Sequence, residues 1–495
     1  MTSPQPIIAA IAALFLVATV VIILLARRRV RTTAGFYVAE NSVSVVQNGI
    51  ATAGDYLSAA SFLGTIAVFF TSGTDGVLYA VGAVAGWPVL ACLLAEPLRN
   101  LGRFTFADAL CQRLEERPIR LLAGVSTLVI CCGYLISQMV AAGTVLELLS
   151  GLPYGQAILV VGALMVCYVL FGGMVATTWI QIIKATALLL VVALMAALVL
   201  HRFGWNAADL SRQAAASMAE RVGPQKVLLE DPFSALGLAL AFIFGPAGMP
   251  HVLMRSFTVR DGVAARRSLV VATCLIALFQ ALIIVLGLGA MAMLRVPEVT
   301  GVNTAAFFLA RHLGGSVLFG VAATVAIATV LAVVAGLTLA AATTVSHDLA
   351  RTVFKRRAIQ DAQELRISRW ASAGIGAVAV GFGILFQHQN VGFLATLPLV
   401  AAASATFPVL LLAIHWRGLT TRGAVAAGWT GLLGSIALVL VSPKVWVGTF
   451  GHAAPLVPFE YPTVITMAAA FLLAWGVSRL DTRGGARSST PRPSD

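Results

Sequence analysis

The stretch Phe244-Gly245-Pro246-Ala247-Gly248-Met249-Pro250-His251 lies inside an apolar run that extends from 234 to 254. Two prolines and two glycines in so short a space forbid a continuous helix. Proline removes a backbone donor and clashes with the preceding turn. A second interrupted stretch opens the run 47–70: Gln47-Asn48-Gly49-Ile50-Ala51-Thr52-Ala53-Gly54-Asp55-Tyr56-Leu57-Ser58. Glycines and polar side chains sit mid-run there, and Asp55 falls at membrane depth. A broken span frees amides on one half-helix and carbonyls on the other. Freed carbonyls coordinate cations, and the positive helix end attracts an anion.

Outward from these two places the chain is overwhelmingly apolar. Of 495 residues, 59% are hydrophobic and 11% charged, against about 25% charged in soluble domains. This composition excludes a soluble enzyme, a secreted disulfide scaffold and a disordered chain. A hydrocarbon core about 30 Å thick needs about 20 apolar residues per crossing. Such runs fall at 6–26, 47–70, 76–98, 120–147, 154–174, 178–200, 234–254, 268–294, 316–345, 368–386, 392–414, 422–441 and 461–479. About thirteen spans are therefore predicted, all helical, because lipid offers no partner for unpaired backbone groups. The run 316–345 is long for one upright crossing, and tilt or overhang would absorb the excess. The interrupted spans are the second and the seventh. Each opens a group of five, over about 47–200 and 234–414. An odd number of spans sets the two groups in opposite orientations, as in an inverted-repeat secondary transporter.

The net charge of +13 would suit a nucleic-acid binder, but its placement follows membrane topology instead. Met1 to Pro6 carries no basic residue, while Arg27, Arg28, Arg29 and Arg31 follow the first run. That order predicts a first span rather than a cleavable signal. Most other arginines, including Arg255, Arg260, Arg266 and Arg267, fall in segments on the same side as this cluster. The bias places the N-terminus outside and the C-terminus in the cytoplasm, with anionic lipid favoured at the inner face. The loop 201–233 predicts an external cap with an amphipathic helix around Ala207–Glu220. Residues 1–480 read as one transport domain and 481–495 as a disordered tail.

An ionised Asp55 within the membrane requires a cavity, a cation or a helix terminus to face. It also suits the cap of the second half-helix. Lys184, one turn into its span, is expected to snorkel to the cytoplasm, with a coupling role as the other reading. Glu147 is expected to be solvated, and His251 to cap or hydrogen-bond the second break rather than carry protons. The six cysteines lack metal-site spacing and read as buried free thiols. No Walker A loop, HExxH or hydrolase elbow occurs. An enzyme is therefore not expected, nor a cofactor beyond a coupling ion.

The chain resembles the sodium/solute symporter family, and within it the cation/acetate and monocarboxylate carriers. The stretches that carry the likeness are Gln47 to Gly64, Glu96-Pro97-Leu98-Arg99-Asn100-Leu101-Gly102-Arg103-Phe104-Thr105, and Gly172-Gly173-Met174 with Thr178-Trp179-Ile180-Gln181-Ile182-Ile183-Lys184. They continue with Gly245 to Arg255, Leu331 to Leu349, Thr420-Thr421-Arg422-Gly423 and Pro458-Phe459-Glu460-Tyr461-Pro462. The resemblance implies an all-α membrane protein with a LeuT-like core of inverted five-helix repeats. It implies alternating access, with substrate and cation bound between the two broken helices.

Carried onto this chain, the family's sodium site takes carbonyls at Ala53, Tyr56 and Thr329. The two positions that should add hydroxyls hold Ala332 and Val333, and the usual Trp-Thr-Asp is Trp179-Ile180-Gln181. Two readings follow. Sodium binds a rearranged site using Asp55, Ser58 and Thr338, or a proton is the coupling ion with Asp55 its acceptor; the departures favour the proton. The implied substrate is a small monocarboxylate of the acetate, propionate or pyruvate type, on the amides near Gly54–Tyr56 and Gly248, without a buried Arg partner. Ser58, Ala59, Ser61 and Ala247 are expected to shape a small pocket. A carrier of another small solute, a sensory module and a channel are the competing readings.

Overall fold

The computed structural model describes residues 42–488 except 74, 103, 172–173, 223–230, 296–298, 300, 302 and 350–360. No strand occurs among them. Helix α1 (Val45–Tyr56) starts at a reciprocal cap, in which Ser44 Oγ accepts from the Gln47 amide and Gln47 Oε1 from the Ser44 amide. Its C-cap, Leu57, leaves helical geometry at ψ 84°. The chain then re-enters helix through a π-turn over Ala60–Gly64 into α2 (Thr65–Ser72), with a bend of 51° across the break.

Next come α3 (Asp75–Val89) and α4 (Ala95–Leu101), joined by a π-turn over Leu90–Leu94. Pro88 precedes that turn, where its missing N–H loosens the ladder. A short α5 (Phe106–Leu110) leads to α6 (Glu116–Ser150), α7 (Tyr154–Phe171) and α8 (Met174–Arg202). The expected amphipathic cap helix is α9 (Ala207–Val222).

The second half opens with α10 (Pro232–Phe244), whose N-cap Asp231 accepts from the Ser234 amide. A 3-10 turn at Pro246–Gly248 and a five-residue α11 (Pro250–Met254) follow, and a further turn over Arg255–Phe257 closes the broken span. Helices α12 (Gly262–Met293) and α13 (Ala305–Thr343) come next. The excess length expected around 316–345 is resolved by a break: Gly315 takes φ +64°, ψ −156°, open essentially to glycine alone. Then follow α14 (Asp361–Leu385), α15 (Val391–Ala401) and α16 (Phe407–His415), the last two joined by a π-turn after Pro398. Helices α17 (Thr421–Leu440) and α18 (Thr463–Ser488) complete the bundle. The helix α18 runs into the stretch expected as a tail from 481; residues 489–495 lie outside the described residues.

Among the described residues nine helices are long and apolar enough to cross a membrane, ten if the bent α1–α2 pair counts as one span. The expected spans at 154–174 and 234–254 are helical too, though their apolar helices are shorter. The expected first span, 6–26, lies outside the described residues. Burial separates centre from periphery. In α13 and in the α15–α16 span, 78% of the apolar window is inside protein, against 28% in α18. Exposed Leu190, Leu194, Leu433 and Leu472 form part of the apolar outside that lipid requires.

Candidate functional site

The first break is held by its own hydroxyls. The Ser58 amide donates to Ser61 Oγ at 2.9 Å, and the Ser61 amide donates back to Ser58 Oγ at 3.2 Å. Ser61 Oγ also donates to the Tyr56 and Ser58 carbonyls. Tyr134 of α6 meets Ser58 Oγ at 3.3 Å. The second break has no side-chain cap. The Gly248 amide donates to Gly245 O at 2.8 Å, and Met249 is extended before Pro250 restarts the helix.

A buried ion pair joins the two broken spans. Asp55 accepts from Arg255 Nε at 2.6 Å and Nη2 at 3.3 Å, and from Gln181 Nε2 at 2.6 Å. Arg255 donates its remaining nitrogen to Thr178 Oγ1 at 2.8 Å. Gln181 Nε2 also reaches the Ala332 carbonyl at 3.0 Å. Asp55 and Arg255 are each 2% exposed. Both charges are thus saturated by geometry that a low-dielectric interior demands. The backbone of Arg255 is fixed as well: Asn48 Nδ2 and Thr258 Oγ1 both donate to its carbonyl.

The arrangement corrects three sequence expectations. Arg255, counted with loop arginines, is a buried partner of Asp55, because α11 is too short to carry residue 255 out of the protein. Lys184 does not snorkel: it is 0% exposed and its Nζ has no hydrogen-bond partner. Thr178, Gln181 and Lys184 recur at three-residue spacing on α8, so the face that meets Asp55 and Arg255 carries Lys184 inward too. The amides near Gly54–Tyr56 are not free, since α1 is helical through Tyr56 and breaks only at Leu57.

Between the two breaks lies a chamber of about 30 Å³. Its walls include Tyr56, Ala60 and Ser61 from the first break and Phe242 and Met249 from the second. Tyr79, Ala83, Tyr134, Gln280 and Thr396 complete them with other neighbours. None of the described residues lining it is charged. Of the residues expected from sequence, Tyr56 and Ser61 line this space. Ala53, Gly54, Ala59, Ala247 and Gly248 are buried but do not line it. Gly54 and Gly248 serve close packing: a Cβ on Gly54 would meet Gln181 O at 2.7 Å, and one on Gly248 would meet Ala402 O at 2.5 Å. The Ala53 carbonyl accepts from Leu57 N at 2.7 Å. On α13, Thr329 and Thr338 are fully buried and their hydroxyls have no partner. His251 stacks on Tyr134 at 5.7 Å between centroids, and its Nδ1 is unpartnered.

A cleft of about 1090 Å³ opens where α2 ends and α10 begins, with Asp75, Phe393 and the Lys444–Glu460 ion pair in its walls. Tyr79 lines both cleft and chamber, and its hydroxyl is hydrogen-bonded to that of Tyr461. Tyr79 is thus shared by the two spaces. At the opposite end, Asp108, His347 and Asp348 come together with metal-like spacing. Arg120 already occupies that centre, at 3.0 Å from Asp108 and 2.5 Å from Asp348. A guanidinium there repels a metal ion. Burial raises the Asp108 carboxyl, but the hydrogen bond and charge of His347, the Phe104 amide and Arg120 outweigh it and hold it well below the usual range.

The sequence reading missed Arg255, Tyr134 and Gln280 as site residues. Gln280 did leave a signal, as a lone amide in an otherwise apolar run.

The sodium:solute symporter family model matches residues 36–431. The fold is similar to that of a Na+-coupled sialic acid symporter in a substrate-bound outward-open state. The TM-score is 0.75 at 13% identity, covering 96% of this chain and 98% of that one. It is also similar to a manganese transporter of Eremococcus coleocola (TM-score 0.55, 16% identity, 92% and 97% covered). A third likeness is to Mhp1, a nucleobase-cation-symport-1 family transporter, closed with bromovinylhydantoin bound (0.51, 16%, 92% and 96%). At such identities the likeness concerns the fold, an all-α membrane architecture with a LeuT-like core.

Proposed function

Since the chain belongs to the sodium:solute symporter family, a family of cation-coupled secondary transporters and not of enzymes, we infer that its solute is a short-chain monocarboxylate of the acetate, propionate or pyruvate type. The observation that carries this reading is the chamber between the breaks. A single water needs about 10–15 Å³ of such space, so about 30 Å³ suits a solute of a few heavy atoms. A sugar or a sialic acid would require the walls to part widely. In this reading the cleft is the outer vestibule and the Tyr79–Tyr461 pair its inner door. The Asp55–Arg255 pair closes the cytoplasmic side, in the plasma membrane with the N-terminus outside.

For the coupling ion, the proton is favoured over sodium. Ala332 and Val333 offer no side-chain oxygen where the family places hydroxyls. Asp55, the nearest carboxylate, is committed to Arg255 and Gln181. A sodium ion beside Asp55 would meet the Arg255 guanidinium without enough oxygens to offset the repulsion. The remaining sodium arrangement uses Ala53, Tyr56, Ser58, Thr329 and Thr338.

Uptake by the purified, reconstituted protein tests the substrate class. Saturable uptake of labelled acetate, inhibited by propionate and pyruvate but not by proline or glucose, is the expected result. Saturable uptake of proline or a sugar with no competition from short acids would overturn the reading in favour of another carrier. Failure to exceed equilibrium under any gradient would indicate a channel.

A further inference from the structure

Gln280 sits midway along α12, 2% exposed, among Ile276, Phe279 and Ile283, each 0% exposed. Its side chain lines the chamber, and neither its Nε2 nor its Oε1 has a hydrogen-bond partner. An amide buried without partners is unfavourable on both atoms, so the feature calls for a ligand. Neighbouring hydroxyls do not supply it. Thr396 Oγ1 donates to Phe393 O at 2.6 Å, and Ser61 Oγ is engaged at the first break.

What the amide asks for is specific. It presents a donor and an acceptor side by side, without charge. The lining of the chamber is uncharged throughout the described residues, and such a space disfavours a bare carboxylate. A protonated carboxyl group answers both requirements. Its carbonyl accepts from Nε2 while its hydroxyl donates to Oε1, closing a ring of two hydrogen bonds. The proton is the coupling ion taken up with the acid, and no covalent step is involved.

We propose that Gln280 is the residue that recognises the substrate's head group, and that the chamber holds the acid in its undissociated form. This rests on the reading of the protein as a proton-coupled monocarboxylate symporter. It replaces the sequence expectation that freed backbone amides hold an anion.

The test has two arms. In the wild-type protein, acetamide offers the same donor–acceptor pair and is expected to compete with labelled acetate; acetone, of the same size and neutral but with an acceptor alone, is expected to compete far less. In Gln280→Leu, the KM for acetate is expected to rise at least about tenfold with kcat changed less, and acetamide competition to vanish. Thermal unfolding of that variant in detergent should be unchanged or shifted upward, because an unsatisfied buried amide has gone. A structural role would instead lower it. Gln280→Met serves if the leucine variant does not fold. Unchanged KM in either variant, or no acetamide competition in the wild type, overturns the inference and leaves the function standing. A wild-type protein with no saturable acid uptake at all defeats the function and this inference together.

Discussion

The two helix breaks are built by opposite means. At the first, the chain supplies its own polar closure: Ser58 and Ser61 exchange hydrogen bonds across the turn. At the second, Pro246, Gly248 and Pro250 enforce the break through the backbone, and no side chain caps it. The first contributes an acid, Asp55, and the second answers with a base, Arg255. A hydroxyl-capped break can reopen by exchanging partners. A proline-built break holds its shape and moves as a unit. The first half-helix pair is therefore expected to adjust during transport while the second acts as a fixed anvil.

The largest effect should come from cutting the tie between them. Arg255→Met leaves Asp55 buried with Gln181 alone, a loss on the order of 3–5 kcal/mol, measurable by thermal or denaturant unfolding in detergent. Adding Asp55→Asn should restore much of that stability but not transport. If the single variant were as stable as the wild type, the two breaks would not be tied as described.

Next in size, Gly248→Ala forces a methyl against the Ala402 carbonyl and the Phe407 amide. Overpacking of this kind costs about 1–3 kcal/mol, and uptake should fall for all acids alike, since Gly248 does not line the chamber. Selective loss of longer acids would instead place Gly248 in the substrate pocket.

Smaller still, Ser61→Ala removes a capping hydroxyl, about 1 kcal/mol, and should alter turnover more than stability if the first break is the adjustable one. The least effect belongs to a residue outside both breaks. Asp108 has a folded pKa below its ordinary value, so its contribution is present above about pH 3.9 and is lost as pH falls through the folded value. Asp108→Asn should therefore lower the melting temperature at pH 7, with the gap to wild type narrowing in acid.

The sequence carried the architecture well because membrane spans leave long, unambiguous apolar runs, and because Pro246, Gly248 and Pro250 can hardly sit in a regular helix. It carried the site less well. Arg255 looked like one more loop arginine, since nothing in the pattern fixes how short α11 is. Lys184 is at a position where snorkelling is usual, and only its alignment with Thr178 and Gln181 on one face turns it inward. Gln280 was visible as the lone amide in the apolar run of α12, but its meaning depends on a cavity assembled from six other helices. The break at Leu57, three residues beyond Gly54, shows that glycine marks where a helix can open, not where it does.

If the paired breaks carry a small acid together with a proton, labelled-acetate uptake into proteoliposomes should follow the proton gradient when proton and sodium gradients are imposed one at a time. Protein-free vesicles run in parallel subtract the undissociated acid that crosses lipid unaided. Accumulation above equilibrium with an inward proton gradient in sodium-free buffer is expected. Accumulation driven by sodium at fixed pH, with none from the proton gradient, would contradict it.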